Sequence, residues 1–291
     1  MKQKVRKYLQ IILRLLFSGL AMYFVFTKID YASVREVLDR SNLLLLITGV
    51  LFFFLSKVIS AYRLNLFFRA EEIYIDQLTN MRLYLLGMFY NLFLPGGIGG
   101  DGYKVYYLRK TTNVPVKNCI RAMIFDRATG LFALVLLTLI FAFFSSPQYI
   151  KPWQILLLMA ASTALLYLAV YKWFKKYCSI LNVTNLQSLG VQLSQVITAL
   201  FILKAIGQDQ QILLYISVFL ISSVVAVIPF TIGGAGAREL TFLFASEIFH
   251  LNVEASIALS LLFFIITVVV SLGGILYLIR PGLIRYRSNP V

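Results

Sequence analysis

Asp101, Lys104, Asp126, Arg127, Arg238 and Glu239 are the residues of this 291-residue chain whose types and positions could do chemistry. Four of them stand beside two glycine-rich stretches. Residues 91–104 read NLFLPGGIGGDGYK and residues 228–239 read IPFTIGGAGARE. A helix that restarts after a glycine turn points free N–H groups and the positive end of its dipole at the turn, which suits a phosphate. Arg127 and Arg238 could add two-pronged contacts to a phosphodiester. The chemistry expected is therefore anion binding rather than bond making. No Ser/His/Asp set, no metal cluster and no DxD pair is present. The single His250 reads as a loop residue, and Cys119 and Cys178 lack metal-ligand spacing and read as free thiols. Gly97-x-Gly99-x-x-Gly102 matches the dinucleotide fingerprint in letters only, because what precedes it is an apolar helix rather than a strand of a βαβ unit. No Walker lysine follows, and neither a cofactor nor a metal is expected.

These residues must be held by membrane helices. The chain is 60% hydrophobic and 13% charged, and apolar runs of about 20 residues, the length needed to cross a bilayer, recur along it. No hydrophilic stretch is long enough for a soluble domain. The net charge of +15 comes from 27 Lys and Arg against 12 Asp and Glu, spread over short loops. That distribution fits the positive-inside bias and anionic lipid headgroups, so a nucleic-acid partner is not expected. The first residues, MKQKVRK, followed by an apolar run, resemble a signal peptide without a cleavage site, and read as a retained anchor.

Spans are expected at about residues 9–27, 43–61, 122–144, 153–170, 186–206 and 255–279, with broken segments at 83–110 and 212–249. Pro95 and the five glycines between Pro95 and Gly102 break the first segment. Broken backbone is tolerated at membrane depth only where protein or a water-filled cavity surrounds it. If each broken segment were a full crossing, Lys104, Arg109, Lys110, Lys117 and Arg121 would face outside, against the charge rule. Re-entrant hairpins keep every cation-rich loop inside, with both termini cytoplasmic. The expected fold is an all-α polytopic membrane protein of six full spans plus two re-entrant helical hairpins, about eight membrane segments in one domain over residues 1–291. Aligning Gly96 with Gly233 divides it into repeats at 1–146 and 147–291, each with three crossings and one hairpin and therefore inverted, a design common in transporters.

Each motif also has a plain structural reading. The glycines could serve tight helix packing. Asp126–Arg127 and Arg238–Glu239 could be mutually compensating charges, and ligand contact stays open beside that. Arg14 is close enough to a membrane end to snorkel, and Lys57 and Arg63 read as interfacial anchors.

NxxLPGGxGGD at 91–101, the D-R-x-x-G variant at 126–130 and IPxxxGGxGxxE at 228–239 resemble the flippase-like membrane family that includes the transmembrane part of lysylphosphatidylglycerol synthetases. The resemblance covers nearly the whole chain. It departs at Ile232-Gly233-Gly234, where Pro-Gly-Gly is expected, and at Asp126-Arg127, where Glu-Arg is expected. It implies lipid translocation. In two-part members a membrane domain flips an aminoacylated lipid made by a soluble C-terminal domain. That domain is not found before Val291, so aminoacyl transfer is not expected. The leading expectation is a non-enzymatic flippase of the inner (plasma) membrane. It would move an anionic or modified phospholipid, or a polyprenyl-phosphate-linked intermediate. Arg127, Arg238 and the turn amides around Asn91, Pro95, Gly96, Gly97, Gly99, Gly100, Gly233, Gly234 and Gly236 would hold phosphate. Asp101 and Glu239 would bind a cationic substituent or close a gate, with Lys104 and Asp126 beside them. The alternatives are a membrane-embedded transferase acting on a polyprenyl phosphate, and a partner that docks a lipid-modifying synthase or glycosyltransferase.

Overall fold

The computed structural model describes residues 31–93, 99–112, 114–145, 151–227 and 236–284. The expected first span at 9–27 with Arg14, the turn residues Pro95, Gly96, Gly97, Gly233 and Gly234, and the terminal Arg285 and Arg287 lie outside them. Among the described residues the chain is helical, with no strand. The helices are α1 (Tyr31–Asp39), α2 (Leu43–Ala70), α3 (Gln77–Phe93), α4 (Gly99–Thr112), α5 (Val116–Ser145), α6 (Pro152–Trp173), α7 (Cys178–Ala205), α8 (Ile212–Val227), α9 (Ala237–Phe249), α10 (Val253–Leu272) and α11 (Ile275–Ile279). Five stretches are long and apolar enough to cross a membrane: α2, α5, α6, α7 with the turn before it, and α10 with α11.

Helix starts follow local polar chemistry. Asn42 Oδ1 accepts from the Leu44 and Leu45 amides and opens α2. Asp76 Oδ2 accepts from the Thr79 amide and opens α3. Asn252 Oδ1 accepts from the Ala255 amide and opens α10, and Pro152 opens α6 at a position where its missing N–H costs nothing. His250 closes α9 in left-handed backbone, φ 53°. Two expected boundaries move inward along the chain: α2 continues nine residues past Ala61 to Ala70, and α7 begins at Cys178 rather than near Leu186.

The shorter helices form two antiparallel pairs. In the first, Asn91 on α3 meets Gly100 on α4, and Tyr84 meets Lys104. In the second, Ser223 on α8 meets Arg238 on α9, and Tyr215 meets Asn252 just beyond α9. The longest packing interface is between α2 and α7.

The core is split. One apolar cluster holds Phe53 of α2, Leu134 and Leu137 of α5, and Val196 and Ala199 of α7. The other holds Leu64 and Phe67 of α2, Ala122 and Met123 of α5, and Leu181 of α7. Between the clusters the same three helices bury polar side chains: Ser56, Ser60 and Arg63 on α2, Asp126 and Thr129 on α5, Thr184, Asn185, Ser188 and Gln192 on α7. The three helices thus carry a polar belt at mid-length, capped by hydrocarbon on both sides. Burying such groups is unfavourable unless they are partnered, so the belt is where function is sought.

Candidate functional site

Arg63 is the centre of the belt. It is buried, and its Nε donates to Asp126 Oδ1 at 2.7 Å while Nη1 donates to Ser188 Oγ at 2.8 Å. The guanidinium lies against Gly130, where an added Cβ would stand 3.2 Å from Nη1. Asp126 and Gly130 are one helical turn apart, so the D-R-x-x-G motif is a seat for an arginine from another helix. Arg63 is therefore not an interfacial anchor, and Asp126 is compensated by Arg63 rather than by Arg127. Tyr84 of α3 faces Lys104 of α4 at the first glycine break.

At that break Asp101 occupies the first turn of α4. It pairs with Arg127 from α5 and with Lys104 one turn on, the latter at 3.4 Å. Lys104 is buried and its ammonium sits over the Tyr84 ring, 4.6 Å from the centroid. Asn91 Oδ1 accepts from the Gly100 amide at 2.8 Å, so Asn91 caps α4 across the pair. Gly100 is there for contact: a Cβ on it would lie 2.0 Å from the Gly87 carbonyl oxygen. Of the residues expected to hold phosphate here, Arg127 is half exposed and engaged by Asp101, and Gly99 is half-buried at the start of α4.

The second break is built differently. Gly236 has φ +84°, which favours glycine. Its amide donates to Glu239 Oε2 at 2.7 Å, and Ser260 Oγ of α10 donates to Oε1 at 2.8 Å. Glu239 is buried by these contacts and fixes the start of α9 onto α10. Arg238, its neighbour in sequence, points elsewhere. Its Nη1 donates to Ser223 Oγ at 3.1 Å, and its Cζ lies 5.0 Å from the Phe263 ring centroid and 5.8 Å from that of Phe219. Neither adjacent pair, Asp126–Arg127 or Arg238–Glu239, forms an ion pair within itself.

Two ionisable residues outside the motifs, Lys57 and Glu71, belong to the same picture. Lys57 stands at the middle of α2, not near a membrane end. Its ammonium lies 4.2 Å from the Phe53 ring centroid. With Ser56, Ser60 and Arg63 it forms a stripe at helical spacing, a pattern present in the sequence but hidden while α2 is taken to end at Ala61. Glu71, at the far end of α2, is buried and gathers Arg121 at 3.2 Å, Lys176 and the Tyr177 hydroxyl. This knot ties the ends of α2, α5 and α7 together. No spacing rule links those four positions.

Among the described residues no group of His, Cys, Asp and Glu could hold a metal. What the arrangement offers is charge: a closed Arg63–Asp126 pair, an Asp101–Lys104–Arg127 group at a broken helix, and Arg238 and Lys57 on aromatic faces. Such a fold and site define a helical, membrane-embedded protein with an ionised interior, the setting for handling polar groups inside hydrocarbon. The chain matches the lysylphosphatidylglycerol synthase transmembrane region family over residues 11–182 and 178–274 and belongs to that family. No curated protein matches it.

Proposed function

We propose that this protein is a lipid translocator, a non-enzymatic flippase that carries the headgroup of an anionic or modified lipid past the polar belt while the chains stay in the bilayer. The observation that carries the reading is the belt itself. Moving a charged headgroup through hydrocarbon unaided requires stripping its water, which is costly. Side chains at mid-length on α2, α5 and α7, with Asp101, Lys104, Arg127 and Arg238 alongside, substitute for that water. The substrate is a lipid with an anionic headgroup, and the membrane is the inner (plasma) membrane.

The mechanism rests on the two broken pairs being re-entrant. α4 and α9 have 14 and 13 residues. At about 1.5 Å per residue each reaches roughly 20 Å, short of the ~30 Å hydrocarbon core, and each folds back along its partner. The order long helix, broken pair, long helix occurs twice, as α2, α3/α4, α5 and as α7, α8/α9, α10. This order supports an inverted repeat divided near residue 146, with both termini cytoplasmic. In that arrangement Lys110 and Lys117, both exposed, face the cytoplasm. Single cysteines at these positions, with Cys119 and Cys178 replaced, should resist an impermeant thiol reagent outside intact cells and react after permeabilisation. Labelling from outside would exclude the re-entrant topology. Transport itself is tested with fluorescent phosphatidylglycerol in proteoliposomes of the purified protein. Movement above protein-free liposomes is the expected result, and a new lipid product instead would make the protein a transferase.

A further inference from the structure

Among the described residues, two cations of the membrane interior form no ion pair with a carboxylate. Among the described residues the ion pairs of the site involve Arg63, Lys104 and Arg127, and none includes Lys57 or Arg238. The nearest acids are committed elsewhere: Asp126 to Arg63, and Glu239 to the Gly236 amide and Ser260. Aromatic rings stand in their place. Phe53, under Lys57, packs edge-on to Phe263 with centroids 5.4 Å apart, and Phe263 packs on Phe219 at 4.7 Å. Arg238 lies over Phe263 and Phe219. One three-ring cluster, buried at Phe53, Phe219 and Phe263, therefore carries both cations, Lys57 at Phe53 and Arg238 between Phe263 and Phe219. One comes from α2 and the other from α9.

We infer that Lys57 and Arg238 form a two-cation anion seat on the Phe53–Phe263–Phe219 cluster, and that its ligand is the phosphate group of a membrane lipid. Ring faces compensate a cation only in part, so two like charges at mid-membrane leave a deficit that an anion fills. A guanidinium fork beside a compact ammonium fits a group with several oxygens in different directions, as a phosphate has. Both cations keep some exposure, whereas Arg63 is buried against its own partners. The lipid source of that phosphate rests on the translocation reading. The seat itself rests only on the geometry.

The test uses the full-length protein in detergent, titrated with dioleoyl phosphatidylglycerol, dioleoylglycerol and inorganic phosphate, with bound ligand counted by native mass spectrometry. Lys57→Met and Arg238→Gln should each weaken phosphatidylglycerol binding by roughly ten- to a hundredfold, while Lys110→Gln leaves it unchanged. Dioleoylglycerol, which lacks phosphate, should not bind at the seat. Competition by inorganic phosphate would assign the seat to a free anion; its absence assigns it to lipid phosphate. Removing an uncompensated mid-membrane cation should also raise the melting temperature of lipid-free Lys57→Met. Wild-type phosphatidylglycerol binding in both variants, or a lower melting temperature for Lys57→Met, would overturn the inference. Binding that depends on both cations, with no lipid movement in proteoliposomes, would remove the translocation reading and leave the seat standing.

Discussion

Arg63→Gln and Asp126→Asn, made singly, are each expected to cost about 3–5 kcal/mol of folding free energy, and the double variant to recover most of it. Each single change leaves one charge of a buried pair without its counter-charge. The pair is close, 2.7 Å from Arg63 Nε to Asp126 Oδ1, and Ser188 remains to satisfy a neutral side chain at 63. The informative comparison is Arg127→Gln with Asp126→Asn, which should recover nothing. Arg127 is half exposed and its carboxylate is Asp101, so its loss alone should cost no more than about 1 kcal/mol. The measurement is the melting temperature in detergent and the fraction of protein eluting as folded on gel filtration. Recovery by the 126/127 double change, with none by the 63/126 change, would show that the ion pair belongs to the neighbours in sequence. Transport should stay impaired in the stable 63/126 double variant if the belt substitutes for water around a headgroup.

Gly100→Ala is expected to be the most damaging glycine-to-alanine change among the described glycines. Its Cβ would lie 2.0 Å from the Gly87 oxygen and 2.5 Å from the Gly87 carbonyl carbon. Both are backbone atoms, so no side chain can rotate away, and α3 and α4 must separate. Their separation would also pull Asn91 off the Gly100 amide and Lys104 off Tyr84. The cost should exceed the usual overpacking penalty of about 1–3 kcal/mol. Gly274→Ala, with its Cβ 2.3 Å from the Leu85 oxygen, should behave similarly from the other side of α3. Gly102→Ala is the control. Nothing lies within 4 Å of a Cβ there, and alanine's better helix propensity should make the change neutral or stabilising by up to about 1 kcal/mol. Equal melting temperatures for the 100 and 102 variants would mean that Gly100 is an ordinary helix-start residue.

Much of the architecture is legible in the residues. Apolar runs long enough to cross a bilayer declare a helical membrane protein because no soluble core could absorb them. Pro95 and the glycines around it mark a break because proline lacks the N–H that a helix interior needs. Asp101 and Glu239 fall where a helix restarts, as negative charge at a helix N-terminus should. What the residues left open is which charge meets which. Consecutive residues on a helix point about 100° apart and do not face each other, so Asp126 and Arg127, or Arg238 and Glu239, do not pair with each other and look elsewhere. Asp126 finds Arg63 from α2, Arg127 finds Asp101 from α4, and Glu239 finds Ser260 from α10. The length of α2 depended on the same fact. Once Arg63 is neutralised from across the bundle, it no longer has to sit at a membrane end, and Lys57 moves to the helix centre. Composition and spacing decide the solvent in which this chain folds and where its helices break. Only the packing of the helices against one another decides which of its charges are closed into pairs and which remain open, because a counter-charge acts through space, not along the chain.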